Sequence, residues 1–248
     1  MSDYLIEVLT DINLCNEQFV KSFFQDLFNN LNQSLKPEYF NLSEPINRSF
    51  EKEGIDSAIN LWLSKKKPLM LRRKNKPKYI VDINWRSEKG LDERLFPWKT
   101  SVWLNYAAGD NLANELFRFL IRHFNPGFGL LTTYDDNKEK HFISYETNIG
   151  IVEKYIGIDI FEKEEILPGI YWVTYFNSWA IKKLGKEKFN NLSAHQIESY
   201  NNGYIITSYN SSKIIGTQEA YNIENKIKEH LGVKYFFNKN NFDVDKTR

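Results

Sequence analysis

The sequence predicts an α+β fold: a mostly antiparallel sheet with helices packed on it, containing two strand-helix-strand units. Three observations point there. Phe19, Val20, Phe23, Phe24, Leu27, Phe28, Leu31 and Leu35 recur at three- and four-residue intervals, the stripe of an amphipathic helix. Tyr79, Val81, Ile83 and Trp85 alternate with Ile80, Asp82 and Asn84, which is the period of a strand with one wetter face. Such segments follow one another through hairpin-type turns, and no regular strand-helix alternation of a parallel sheet emerges.

Each element follows in order. Lys36-Pro37 stops the first helix. Phe50 to Ser64 is a weaker helical stretch in which Asp56 can cap Ala58, Ile59, Trp62 and Leu63. Leu69–Arg73 and the Tyr79 strand flank the turn-like Asn75-Lys76-Pro77, and Ser101 to Tyr106 repeats the two-residue period. Asp110 is placed to accept from the free amides of a helix carrying Leu112, Leu116, Phe119, Leu120 and Phe124, which Asn125-Pro126-Gly127 ends. Phe128 to Tyr134 and His141 to Tyr145 read as a hairpin around Asp135-Asp136-Asn137. An acidic helical segment is expected from about Asn148 to Ile166. Ile170 to Phe176 is apolar or aromatic on both faces and should be a covered central strand. A short helix from Trp179 to Leu184 stops at Gly185, and a further helical turn follows around Lys186 to Leu192. Tyr204 to Tyr209 is a strand, and Thr217 caps a last helix closed by Gly232. Val233 to Phe237 is expected to return as a strand. The domain reading is a helical arm at 1–43, which can equally join the main core, an α+β domain at 44–238 and a polar tail at 239–248.

Composition narrows the function. With 248 residues and 42% hydrophobic side chains the chain can bury a self-sufficient core. Thirty-three Lys+Arg against 32 Asp+Glu disfavours a wholesale nucleic-acid binder, which needs a global excess of cations. A single cysteine, Cys15, excludes an intramolecular disulfide and suits a reducing compartment; it reads as a buried helix residue. The N-terminus lacks the basic and apolar regions of a secretory signal, and no window nears the ~20 apolar residues of a membrane span, so a cytoplasmic protein with no membrane partner is expected.

Catalytic patterns are absent from the local sequence. There is no phosphate-binding G-x-x-x-x-G-K-[ST], no G-x-S-x-G and no H-E-x-x-H, and Gly127-Phe-Gly129 lacks the third glycine of a dinucleotide loop. His123, His141, His195 and His230 are scattered; His195 and Glu198 fit a metal only if helical, and otherwise form a solvated pair. The expectation is a non-enzyme with no cofactor and no metal. Charge is segregated: from Lys65 to Lys99 twelve basic residues face four acids, and from Tyr134 to Pro168 nine acids face four lysines. Such a dipolar chain can steer a charged macromolecular partner, although the two segments can also neutralise one another. Trp103 and Trp172 lie inside strands and read as core, whereas Trp98 and Trp179 lie in or beside loops, where an exposed ring would anchor an interface; core packing is the expectation for each.

The segments FNPGFGLL (Phe124 to Leu131), GIDI (Gly157 to Ile160) and PGIYWVTYFNSWAIKKLG (Pro168 to Gly185) occur in an order and spacing that resembles bacterial immunity proteins of type VI secretion and polymorphic toxin systems. EPINRSF (Glu44 to Phe50) and LRRKNKPK (Leu71 to Lys78) are similar to further segments of such proteins, so the likeness spans roughly residues 44 to 237. The resemblance implies a protein that binds and neutralises a cognate protein toxin by steric and electrostatic occlusion, and it carries over no catalytic residue. On the charge pattern, Asp135, Asp136, Glu162, Glu164 and Glu165 are the candidate partner-binding residues, supplied by acidic loops. The alternative is an enzyme or nucleic-acid-processing protein with a site assembled from scattered residues, phosphates being held by the basic run at Lys65 to Lys78.

Overall fold

A computed structural model of the chain describes residues 2–65, 68–85, 95–147, 150–155 and 166–239. Its strands are β1 (Tyr4–Thr10), β2 (Tyr39–Asn41), β3 (Arg48–Ser49), β4 (Leu69–Arg73), β5 (Tyr79–Trp85), β6 (Trp98–Leu104), β7 (Phe128–Thr133), β8 (Phe142–Thr147), β9 (Gly150–Tyr155), β10 (Val173–Asn177), β11 (Gln196–Tyr200) and β12 (Gly203–Thr207). Its α-helices are α1 (Glu17–Asn29), α2 (Phe50–Lys65), α3 (Gly109–Phe124), α4 (Tyr134–His141), α5 (Ser178–Leu184) and α6 (Gln218–Leu231). Ten strands form one sheet in the order β11-β12-β10-β7-β1-β6-β5-β4-β2-β3, and β8-β9 stand apart as a hairpin. Every ladder is antiparallel. The α+β class therefore holds.

The sheet is organised around β1, whose seven residues are all buried. It pairs with β6 on one side (Tyr4 opposite Leu104) and with β7 on the other (Tyr4 opposite Thr133). Residues 1–43 thus supply the middle of the sheet as well as α1. Strand parity then divides the molecule. Tyr4, Ile6, Val8, Tyr79, Val81, Ile83, Trp98, Val102, Leu104, Leu131, Val173 and Tyr175 join the core made with α1, α2 and α3. Leu9, Phe128, Leu130, Phe176 and Ile206 join a second core beneath α5 and α6. In the first, Phe23 meets Trp62 edge-on at 6.5 Å between ring centroids and Phe24 at 5.6 Å. Edge-to-face packing of this kind adds to the area term.

Local chemistry sets the ends. Asn16 accepts from Phe19 N, Thr133 from Asp136 N, Asn177 from Ala180 N and Thr217 from Ala220 N, each capping a helix. Gly54, with φ at 78°, kinks α2 just before Asp56. Asp110 does not cap α3. Its carboxylate instead accepts from Tyr4 Oη at 2.6 Å and from Ser212 N at 3.1 Å, and Ser212 Oγ also bonds to it, tying β1, the first turn of α3 and the 212–214 turn together. Although burial opposes it, those hydrogen bonds from Ser212 and Tyr4 hold the Asp110 carboxyl below its ordinary range.

Several expectations are corrected. Tyr134–His141 is a helix, where a hairpin turn was expected, because Thr133 caps it, Asp135 and Asp136 occupy its first turn and Lys138, Lys140 and His141 its last. β8 therefore pairs with β9 and leaves β7 to β1 and β10. Residues 150–155, expected within an acidic helix, are β9; the rest of that segment from 156 to 165 lies outside the described residues. His195 and Glu198 are not helical neighbours: Glu198 lies in β11 and pairs with Arg118. Val233–Tyr235 is a helical turn, and only Phe236 bridges, to Leu167. Cys15 precedes α1 and is half-buried.

The β10–β12 ladder gives a test of register. A Cβ on Gly203 would run into the Phe176 carbonyl and the Tyr175 ring. Gly203→Ala should destabilise the protein by about 2 kcal/mol or more in denaturant titration. A change below about 0.5 kcal/mol would contradict this pairing.

Candidate functional site

Two regions concentrate chemistry, and the first grows from the predicted acidic residues. Asp136 is not on a loop: it is 2% exposed within α4. Its Oδ2 accepts from Thr132 Oγ1 at 2.6 Å and from Lys140 Nζ at 2.8 Å. Lys140 Nζ also reaches Glu224 Oε2 of α6 at 2.7 Å and the Ile170 carbonyl at 3.3 Å. Tyr209 Oη donates to Glu224 Oε1 at 3.2 Å. His141 Nε2 meets Tyr171 Oη beside this group. Burial alone would lower the Lys140 pKa, but the Glu224 and Asp136 carboxylates raise it. Burial raises the Glu224 carboxyl and lowers the nearby Lys228 ammonium. A cleft of about 450 Å³ borders the group, with Lys140, Tyr221, Glu224, Lys228 and Phe237 in its wall.

The chemistry of this cluster is mutual neutralisation. Lys140 has three acceptors for its three donors, so its ammonium is saturated within the protein. It fastens α4 to α6 and to the approach to β10. Asp135, by contrast, is exposed on the first turn of α4. Glu162, Glu164 and Glu165 lie outside the described residues. Of the predicted acidic surface, the described residues thus keep Asp135 outside and place Asp136 inside.

The second region is the open half of the sheet. On β4, β5 and β6 the residues opposite the first core are Met70 and Arg72, then Ile80, Asp82 and Asn84, then Lys99, Ser101 and Trp103. Arg72 stands opposite Ile80, and Ile80 opposite Trp103, so the three form one row across the strands. Met70, Ile80 and Trp103 are half-buried, and among the described residues they pack into neither core. Trp103 has neither a ring contact nor an acceptor for its indole N–H among the described residues. A hollow of about 380 Å³ opens beside it, with Arg72, Lys74, Lys78, Ile80 and Asp3 in its wall.

The electrostatics of that face are graded. Towards its far end charges are satisfied: Lys99 Nζ lies 2.6 Å from Glu7 Oε1, and Asn84 Nδ2 donates to Asp82 Oδ2 at 2.9 Å. At the hollow, Arg73 is engaged by the Lys36 carbonyl at 2.8 Å and by Glu38 at 3.6 Å, and Lys74 lies over the Tyr39 ring at 4.1 Å. Arg72 and Lys78 have no ion-pair partner among the described residues. Glu38 also accepts from the amides of Lys74 and Asn75 at 2.9 and 3.3 Å, which fixes the turn that presents these cations.

Trp98 is fully buried, in line with core packing, whereas Trp103, expected in the core, is the available ring, because Trp98 shares parity with Val102 and Leu104 and Trp103 shares it with Lys99 and Ser101. That parity was a usable signal. A larger depression, about 1510 Å³ between α1, α2 and β2, is a weaker candidate, since Lys21 is paired to Glu17 and Arg73 to Glu38 at its margins. Among the described residues no group of three or more His, Cys, Asp or Glu is placed to hold a metal ion, and no helix is long and apolar enough to cross a membrane.

Comparison with known proteins gives one informative result. No protein-family model matches the chain, and no curated protein matches it. Among solved structures the fold is similar to that of the Pseudomonas aeruginosa T6SS protein PA0821, with a TM-score of 0.58 and 11% identity over 92% of this chain and 72% of that one. At this identity the likeness concerns the fold.

The buried cluster is testable. Lys140→Met leaves two carboxylates without their cation and should cost about 3–5 kcal/mol near pH 8. Glu224 already titrates above its ordinary 4.5 when folded, so its contribution is most favourable below that pH and declines as the pH rises through the raised value. The penalty of Lys140→Met should accordingly shrink towards pH 5; a penalty independent of pH would show that the carboxylates are not desolvated.

Proposed function

We propose that this chain is an immunity protein, which binds a cognate bacterial toxin in the cytoplasm and blocks it by steric and electrostatic occlusion without chemistry of its own. The observation that carries the reading is the open sheet half: a rigid ladder presents Trp103, Ile80 and Met70 outside both cores, beside Arg72 and Lys78, which have no ion-pair partner among the described residues. Aromatic and arginine side chains on a fixed surface are the usual anchors of a protein interface. The fold likeness to a T6SS protein is compatible with a secretion-system role, and the order of motifs between residues 44 and 237 supports the narrower immunity reading. Exposed Asp135 remains a candidate contributor at the separate α4 surface.

The second reading, an enzyme with a site assembled from distant residues, draws on the cleft at Lys140, Glu224 and Lys228. Stoichiometry separates the two. Co-expression with the product of the adjacent reading frame should restore growth, and the purified proteins should combine in a fixed molar ratio in titration calorimetry. Absence of a complex, or protection at a small fraction of molar equivalence, would refute occlusion.

A further inference from the structure

We infer that the Arg72–Ile80–Trp103 row and its hollow form the docking site for an acidic segment of a partner protein, one that presents a large apolar side chain between carboxylates. The inference rests on the binding-protein reading and specifies its surface. Charge complementarity decides the sign of the partner. Arg72 and Lys78 have no ion-pair partner among the described residues, Lys74 is held only over the Tyr39 ring, and Lys76 is exposed on the same turn. Against them stands Asp3, whose Oδ1 already accepts from Tyr106 N at 3.4 Å. A planar guanidinium flanked by ammonium groups favours carboxylate, and desolvating such a pair beside an indole strengthens it.

The apolar component comes from the same row. Trp103 and Ile80 are adjacent across β5 and β6, and the hollow of about 380 Å³ has room for one large side chain between them and the cations. The backbone under it is fixed by three ladders and by the Glu38 clamp on the 74–75 turn, so little ordering is left to binding.

A polynucleotide is the rival occupant of any basic face, and two features disfavour it. Asp82 lies on the same face two residues from Ile80, where a phosphate backbone running along the strand would meet a carboxylate. Single-strand platforms stack successive bases on several aromatic rings, whereas this row offers one.

The test uses the full chain, its Arg72→Glu/Lys78→Glu and Trp103→Ala variants, and the milder Lys78→Glu, with circular dichroism to confirm folding. Three probes are titrated calorimetrically: the product of the adjacent reading frame, the synthetic peptide Glu-Glu-Phe-Glu-Glu, and an oligothymidine. The expected result is that the protein probe binds the wild type and loses about tenfold or more in affinity with the double and Trp103 variants, with Lys78→Glu intermediate. The peptide should bind weakly and lose its binding in the same variants. Equal binding of the protein probe to all variants would overturn this surface while leaving the immunity reading standing. If that probe binds nothing, the immunity reading fails and the peptide decides: variant-sensitive peptide binding upholds the face, and no peptide binding overturns it. Oligothymidine binding tighter than the peptide's and steeply salt-dependent would assign the face to nucleic acid instead.

Discussion

The structure depends on an asymmetry of strand pattern across one sheet. β7, β10 and β12 are apolar on both faces and gather helices on both, while β4 and β5 alternate and bury one face only, and β6 buries Ser101 alone on the other. A helix laid over Asp82, Asn84 and Lys99 would have to desolvate them, and burying polar groups without partners is costly. The helices α1, α2 and α3 therefore gather on the first face and α5 and α6 on the second at the apolar half, and the row carrying Trp103 stays open. The central strand β1 joins the two halves: Leu9 belongs to one core and Tyr4, Ile6 and Val8 to the other, so the half carrying Trp103 cannot shift without disturbing the covered half.

Charge is used in two ways in this protein. Inside, Asp136, Lys140 and Glu224 consume one another, and their geometry links α4 to α6 at a desolvation cost that the Lys140 pairings offset, although the buried Asp136 Oδ1 has no hydrogen-bond partner among the described residues. Outside, Arg72 near the end of β4 and Lys78 at the end of the following turn have no ion-pair partner among the described residues. The first arrangement explains why a predicted acidic surface is partly interior. Among the described cations of the 65 to 99 stretch, Arg73 and Lys99 are paired with Glu38 and Glu7 within the fold, whereas Arg72 and Lys78 are not.

Much of the fold was legible because hydrophobic period and capping act locally. The α1 stripe, the alternation of β5, the Asn125 stop with φ at 38° and the Thr217 cap are all where the pattern places them. The misses share a cause, which is competition between local signals settled by tertiary contacts. Asp135-Asp136-Asn137 favours a turn in isolation, but Thr133 and the interior Lys140 pairing make it a helix. β11 is an edge strand of polar residues, legible only once Arg118 has engaged Glu198. For the open face the decisive signal was parity: Trp103 falls with Ser101 and Lys99, and that assignment needed β6 to begin at Trp98. Nothing in a single strand shows whether a helix will cover it.

Occlusion by the Trp103 row requires that this half of the sheet be the working surface. Hydroxyl-radical footprinting reads it directly, because Met70 and Trp103 are among the most readily oxidised side chain types and both are half-buried on that face. Labelled free and in the presence of the product of the adjacent reading frame, the protein should show loss of oxidation at Met70 and Trp103, with the exposed side chains of α4 unchanged. Unaltered oxidation at both residues, with protection instead around Asp135 or the cleft beside Lys228, would contradict it.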